Sequence, residues 1–154
     1  MKCFTALILA SLPVFALIAS CGAPLGEAAI RGDAAFIKNY KGDVNVSEAS
    51  YGMPALVLAA RAGHKEAVKA LLEAGANVNS RDSEGNTALI TAVFYGRTDV
   101  VETLLAAGAD TNAISTMIYD IKEGSQYYYG PMTALDIAMK KNFTAIVKLL
   151  KQGK

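Results

Sequence analysis

An all-α solenoid of helix-turn-helix units is the fold class that the sequence predicts, and three observations predict it. The first is a unit written twice between Tyr51 and Asn112. Gly52-Met-Pro-Ala-Leu56 and Gly63, Leu72 and Asn79 recur as Gly85-Asn-Thr-Ala-Leu89 and Gly96, Leu105 and Asn112; Leu56 to Leu89, Gly63 to Gly96, Leu72 to Leu105 and Asn79 to Asn112 are each 33 residues apart. A period between roughly 20 and 50 residues marks an array in which each unit buries its apolar face only against its neighbours. The second is helical spacing of apolar residues inside each unit: Val68, Leu71 and Leu72 in one, Val100, Val101, Leu104 and Leu105 in the next. The third is punctuation. Gly63, Gly75, Gly96 and Gly108 stand where those helices should end.

The elements follow in order. Leu25 to Val46 reads as a clipped first unit, with Gly32 between two helices and a second helix over about 34–41. Gly32 to Asn45 is 13 positions, against 16 for Gly63 to Asn79 and for Gly96 to Asn112, so this second helix is expected to be about three residues short. In the next two units the first helices are expected at Pro54 to Ala62 and Thr87 to Tyr95, with Pro54 in the first helical turn and Thr87 as a cap. The second helices are expected at His64 to Ala74 and Arg97 to Ala107. Asn79-Ser-Arg-Asp-Ser-Glu-Gly85 has the composition of a turn. The fourth unit is displaced: Leu89 to Leu135 is 46 residues, so 13 extra residues precede Thr133-Ala-Leu-Asp-Ile-Ala138. There Asn142 stands at the place of the inter-helix Gly. Ile146, Val147, Leu149 and Leu150 form the last helix, with Lys148, Lys151 and Lys154 as a polar outer side.

These residues resemble the ankyrin repeat, whose pattern runs G-x-T-P-L-H-x-A-A, a Gly, a second helix ending L-L, then G-A-D-x-N. Here the last part reads Ala74-Gly-Ala-Asn-Val-Asn79 and Ala107-Gly-Ala-Asp-Thr-Asn112. The resemblance implies about four repeats, near 25–45, 46–79, 80–112 and 131–154, with β-hairpin fingers between them. The T-P-L-H element is altered throughout. Ala55, Ala88 and Ala134 stand at the Pro place, Val57, Ile90 and Asp136 at the His place, and Pro54 where Thr is usual. The His of the family joins a hydrogen-bond network between repeats, so its replacement implies lower stability.

The 114–130 insertion is locally original. Thr116 to Lys122 and Gln126 to Tyr129 are rich in β-branched and aromatic residues around Glu123-Gly-Ser125, which predicts an elongated hairpin finger. Insertions in repeat arrays fall on one face, often the binding face. Tyr119, Tyr127, Tyr128 and Tyr129 are of the type that anchors interfaces, or that packs back on neighbouring fingers.

The start of the chain reads as an address. Met1-Lys2 is a short positive segment, and Phe4 to Ala19 is apolar but shorter than the ~20 residues of a membrane span, with Pro13 inside it. Residues 1–20 are therefore expected to be a cleaved signal peptide. Ile18-Ala19-Ser20-Cys21 resembles the bacterial lipobox, which implies a covalent diacylglycerol and an N-acyl chain at Cys21 and cleavage before it. The competing outcome is cleavage after Ala19, which would release a soluble periplasmic protein. Residues 21–24 would be anchor and tether, reaching at most about 14 Å, and 25–154 the repeat domain. In the bacterial lipoproteins that this segment resembles, an Asp after the anchor acts as an inner-membrane retention signal, so Gly22 at that place implies the outer membrane.

Charge and chemistry narrow the function. The chain has 15 Lys and Arg against 14 Asp and Glu, so no basic stripe points to nucleic acid. The 53% apolar content is high partly because of the first twenty residues. Cys3 leaves with the signal and Cys21 is capped, so the domain has no thiol. The single histidine, His64, fits a local role at a helix start. No catalytic dyad, zinc site or nucleotide loop can be assembled, so no enzyme, no metal and no cofactor beyond the lipid is expected. The small inner helices predict no deep pocket, and Asp82 and Glu84 read as turn residues rather than as catalysts.

The expected function is that of a membrane-anchored, periplasm-facing binding module, a monomer on its own, whose partner is another protein. Its contact surface is expected on the finger turns and exposed first-helix residues: Tyr51, Arg81, Asp82, Glu84 and Tyr95, with the four insertion tyrosines. Small ankyrin-repeat lipoproteins of this build resemble periplasmic immunity proteins that neutralise secreted antibacterial toxins, type VI phospholipase effectors among them. The alternative is a scaffold supporting an envelope or oxidative-stress enzyme.

Overall fold

The computed structural model describes residues 24–48, 52–116, 118–122, 125–129 and 131–152. Cys21, Tyr51 and the expected signal peptide lie outside them. Among the described residues there are eight helices in two layers. The inner layer is α1 (Pro24–Arg31), α3 (Ala55–Ala62), α5 (Ala88–Phe94) and α7 (Ala134–Lys140); the outer layer is α2 (Ala34–Asn39), α4 (Lys65–Glu73), α6 (Thr98–Ala106) and α8 (Thr144–Gln152). Within each layer every helix packs on the next: α1 on α3, α3 on α5, α5 on α7, and α2 on α4, α4 on α6, α6 on α8. This is the expected all-α ankyrin solenoid.

Small side chains let the inner helices approach closely. Ala55, Ala59, Ala60, Ala88 and Ala92 are fully buried between layers, together with Leu56, Val57, Leu89 and Ile90. Val57 and Ile90, at the place of the family's histidine, exchange an inter-repeat polar contact for apolar burial. Each Val, Leu or Ile so buried contributes about 1.5–3 kcal/mol relative to exposure.

The helix ends are settled by local chemistry. α2 has six residues against nine in α4 and α6, as the shortened spacing predicts. It stops at Asn39 rather than Lys41, because Tyr40 turns extended at φ −67° and ψ 131°. α1 begins at Pro24, inside the expected tether, where a missing N–H is no loss. Pro54 is not a helical residue: it is the extended N-cap of α3, at ψ 145°, held in a strand opposite Ser47. Thr87 caps α5 by accepting from the Ile90 N–H at 3.3 Å. His64, Ala74, Arg97 and Ala107 are caps flanking α4 and α6 rather than helical residues.

One device recurs between repeats. Gly32 and Gly63 turn their helices at φ 77° and 87°, and a Cβ at either would meet the following repeat at 2.7–2.8 Å, against the His64 ring and the Arg97 side chain. So these positions need glycine twice, for the left-handed backbone and for the flat seat it offers the next repeat. Asn142 takes the same left-handed turn at φ 59°, which Asn tolerates. A second staple runs along the loops. Asn45 Oδ1 accepts from the Asn77 N–H at 2.7 Å, and Asn79 Oδ1 accepts from the Asp110 N–H at 2.8 Å. Asn45 and Asn79 thus each tie one repeat to the next.

The fingers are short antiparallel pairs. β1 (Ser47–Glu48) pairs with β2 (Met53–Pro54), and Arg81 bridges Thr87. The insertion lengthens the third. β3 (Ile114–Ser115) pairs with β6 (Met132–Thr133), and β4 (Ile118–Lys122) pairs with β5 (Ser125–Tyr129). Ile114 faces Thr133, Ser115 faces Met132, Ile118 faces Tyr129 and Lys122 faces Ser125, so the two ladders keep a single register. Ser125, expected in the turn, belongs to β5.

Candidate functional site

The fingers and the C-terminal ends of the inner helices enclose an open groove of about 190 Å³. Its floor is Val57 of α3 and Ile90, Thr91 and Phe94 of α5; its walls are Met53, Arg61, Asp82, Glu84, Asn86 and Tyr95. The small inner helices predict no deep pocket, and this groove is a shallow one open to its surroundings. It lies between the finger residues Met53, Asp82, Glu84 and Asn86 and the inner-helix residues Val57, Ile90, Thr91 and Phe94.

The finger wall is built by a hydrogen-bond network. Asp82 Oδ1 accepts from the backbone N–H groups of Glu84 at 2.9 Å and Asn86 at 2.8 Å. The buried Asn86 amide donates to Asp82 Oδ2 and Glu84 Oε2, both at 3.3 Å, and its oxygen accepts from the Ser115 hydroxyl at 2.6 Å. Ser115 is fully buried, so this bond satisfies two polar groups that would otherwise be costly. The Thr116 hydroxyl donates to the Glu84 carbonyl. The Arg81 guanidinium donates to the carbonyls of Gly85 at 2.8 Å and Ile114 at 2.9 Å. Three bonds from different residues therefore root the base of the long finger on its neighbour.

The helix wall is aromatic and cationic. Tyr95 is 44% exposed and meets Phe94 edge to face at 5.2 Å between centroids. The Arg61 guanidinium of the preceding repeat stands 5.7 Å over the Tyr95 ring, and Lys141 Nζ of the following repeat lies 3.8 Å from the Phe94 centroid. Such contacts contribute about 0.5–1 kcal/mol each at exposed sites. They also line up cation, ring, ring and cation across three repeats.

The expected contact residues separate into two kinds. Glu84 and Tyr95 line the groove. Asp82 lines it too, but its carboxylate is engaged in holding the finger turn, and Arg81 is engaged between two fingers. Tyr119, Tyr127, Tyr128 and Tyr129 lie on the long finger, in register with Tyr128, Asp120, Tyr119 and Ile118 respectively. Arg61, Met53 and Asn86 were missed by sequence reasoning. Arg61 precedes Tyr95 by 34 residues, one repeat plus one, and that spacing is the signal that could have found it.

Away from the groove, Asp136 forms a capping box with Thr133. The Thr133 hydroxyl donates to Asp136 Oδ2 at 2.6 Å, the Thr133 N–H donates to the same oxygen at 2.9 Å, and the Asp136 N–H returns to the hydroxyl at 3.3 Å. The hydroxyl bond first and the backbone bond second hold the Asp136 carboxyl below the usual carboxylate value, against a small opposing effect of burial. Among the described residues, no group of three His, Cys, Asp or Glu side chains is placed to hold a metal ion, and no helix is long and apolar enough to cross a membrane.

Residues 25–115 match the family described as ankyrin repeats in three copies, which is more than half of the 154-residue chain. The chain belongs to the ankyrin-repeat family. Ankyrin repeats are typically protein-interaction modules without enzymatic activity, and the chain is a protein-binding module in that general sense. The match ends at the base of the long finger; α7 and α8 beyond it repeat the packing of α5 and α6.

Proposed function

We propose that this chain is a non-enzymatic, lipid-anchored periplasmic protein that binds and neutralises a secreted antibacterial toxin, such as a phospholipase delivered by a type VI system. The observation that carries the binding reading is the groove. An exposed Tyr95 and the Glu84 carboxylate face one gap beside a long finger rooted by the Arg81, Ser115 and Thr116 bonds. A partner meets a surface already ordered, so little conformational entropy is lost on binding. Open grooves of this kind take a protruding loop rather than a small molecule, which needs near-complete enclosure.

The envelope location rests on the sequence. Ile18-Ala19-Ser20-Cys21 supplies the anchor, and only Gly22 and Ala23 separate Cys21 from Pro24, where α1 starts. Such a tether spans about 10 Å. A blocker held there meets a lipid-cleaving enzyme at its substrate. We place Cys21 in the outer membrane, facing the periplasm.

The experiment is a contact-dependent competition on solid medium. A strain lacking the chain should be killed by its toxin-secreting parent and rescued by the wild-type chain, but rescued poorly by Tyr95→Ala with Glu84→Lys. Full survival of the deletion strain beside every secreting sibling contradicts the immunity reading.

A further inference from the structure

The first repeat ends the stack with the residues of an interface. Counted from the residue that turns each helix pair at positive φ (Gly32, Gly63, Gly96, Asn142), the fourth and eighth positions are Phe36 and Tyr40, Ala67 and Leu71, Val100 and Leu104, Ile146 and Leu150. In the last three repeats all six residues are at most 1% exposed, and the outer helix of each of these repeats packs on that of the repeat before it. In the first repeat Phe36 is 39% exposed and Tyr40 is half-buried, their rings 6.2 Å apart. Among the described residues no outer-layer helix precedes theirs.

Their direction follows from the helix. Ile37 points into the core, and Lys38 reaches Glu73 of α4 at 3.9 Å, on the side of the second repeat. Phe36 and Lys38 lie roughly 100° to either side of Ile37. Phe36 therefore faces away from the second repeat, out of the N-terminal end of the stack. Tyr40, four residues on, shares that side, and its ring leans over Gly42, where a Cβ would stand 2.5 Å from the hydroxyl. An end repeat surrounded by water carries a polar outer face. This one presents two aromatic rings.

We propose that the N-terminal end face of the array, centred on Phe36 and Tyr40, rests on the bilayer surface as a second membrane contact. The proposal rests on the lipid anchor at Cys21. That anchor is joined to α1 by two residues and so holds this end, and not the groove, nearest the membrane. A phenol and a phenyl ring at a polar edge suit the interface between headgroups and acyl chains. The charges there are balanced. Residues 24–45 carry Arg31, Lys38 and Lys41 against Glu27, Asp33 and Asp43, and Arg31 pairs with Glu27 at 3.8 Å. The contact is therefore apolar in origin and does not depend on anionic lipid or low salt. Docking one end fixes the tilt of the array, so that the fingers and groove project from the membrane at a set height rather than swinging on the tether.

The chain contains no tryptophan, so Phe36→Trp introduces a single fluorescent reporter. The lipidated full-length variant is reconstituted into phosphatidylcholine vesicles with brominated acyl chains, beside Met139→Trp at an exposed site in the last repeat. Tyr40→Trp serves as a second reporter should the first variant fold poorly. The N-terminal reporter should be blue-shifted and quenched several-fold more than the one at 139, equally in zwitterionic and anionic vesicles. Equal, weak quenching at both sites in protein that floats with the vesicles overturns the docking and leaves the anchor intact. Protein that fails to float overturns the anchor and the docking together. A reporter at 36 shielded from both bromolipid and aqueous iodide overturns the membrane contact in favour of a second copy of the chain on that face.

Discussion

At the N-terminal end of the stack, Phe36 and Tyr40 hold the positions that Val100 and Leu104 fill inside it, and they are open to the surroundings. At the C-terminal end, α8 buries Ile146 and Leu150 toward α6 and turns Lys148 and Lys151 outward. One end is finished as an interface and the other as a cap. The same helix position is core or surface according to whether a neighbour is present, so residue type alone does not tell which. A repeat array is stabilised by nearest-neighbour contacts, and the first and last described repeats each have such a neighbour on one side only. On α8 that outward side carries the exposed Lys148 and Lys151, and lysines near a helix end also suit its dipole.

The comparison can be broken most strongly in the interior. Leu104→Ala should cost about 2–5 kcal/mol in urea unfolding, as for other fully buried leucines. Tyr40→Ala, at the equivalent end position, should cost clearly less in the lipid-free chain. Equal losses would mean that the end position is packed like the interior.

A smaller effect is expected at the roots of the long finger. Ser115→Ala leaves the buried Asn86 oxygen without its donor and should cost about 1–3 kcal/mol. Amide exchange should then rise in β3 and β6 while α2 and α8 stay unchanged, which separates the finger from both ends. Next comes the loop staple. Asn79→Ala removes the acceptor of the Asp110 N–H and should cost about 1 kcal/mol. Asn45→Ala should weaken the attachment of the first repeat by a similar amount, read as earlier loss of protection in α1 and α2.

The smallest effect is electrostatic. The folded Asp136 carboxyl titrates below its unfolded value of about 3.9, so its stabilisation is fully present above that pH and is lost as pH falls through the folded value. Asp136→Asn should lower stability near neutrality and narrow the gap to wild type in strong acid. A gap independent of pH in unfolding midpoints would count against the capping box. Lys148→Glu, on the polar end, should alter stability by no more than a few tenths of a kcal/mol, as solvated surface charges generally do.

Much of the frame was legible in the sequence. The 33-residue spacing placed the helix pairs, the three-residue deficit foretold a short α2, and Asn142 stood in for a glycine because it too tolerates a left-handed turn. The insertion read as a hairpin from its β-branched and aromatic runs. The site was less legible. Arg81 and Asp82 look like free surface charges, but both are bonded to backbone groups of the finger turn. Thr133-x-x-Asp136 had the spacing of a capping box, yet its aspartate drew notice only as a departure from the family histidine. Phe36 read as one more helix residue, since nothing local records that the neighbour which covers Val100 is missing at the end. The groove is lined by residues of two repeats, from Met53 to Tyr95, and no local pattern encodes how those repeats are set side by side.

The difference between the ends is tested most directly by one substitution made twice. Thermal unfolding of the chain carrying Cys21→Ser is compared for Phe36→Lys and Val100→Lys. A lysine at 36 should shift the midpoint by only a few degrees, because its ammonium reaches water. A lysine at 100 should abolish cooperative unfolding, because a charge buried without a partner costs several kcal/mol. Similar midpoints for the two variants, whether both tolerated or both unfolded, would contradict the account.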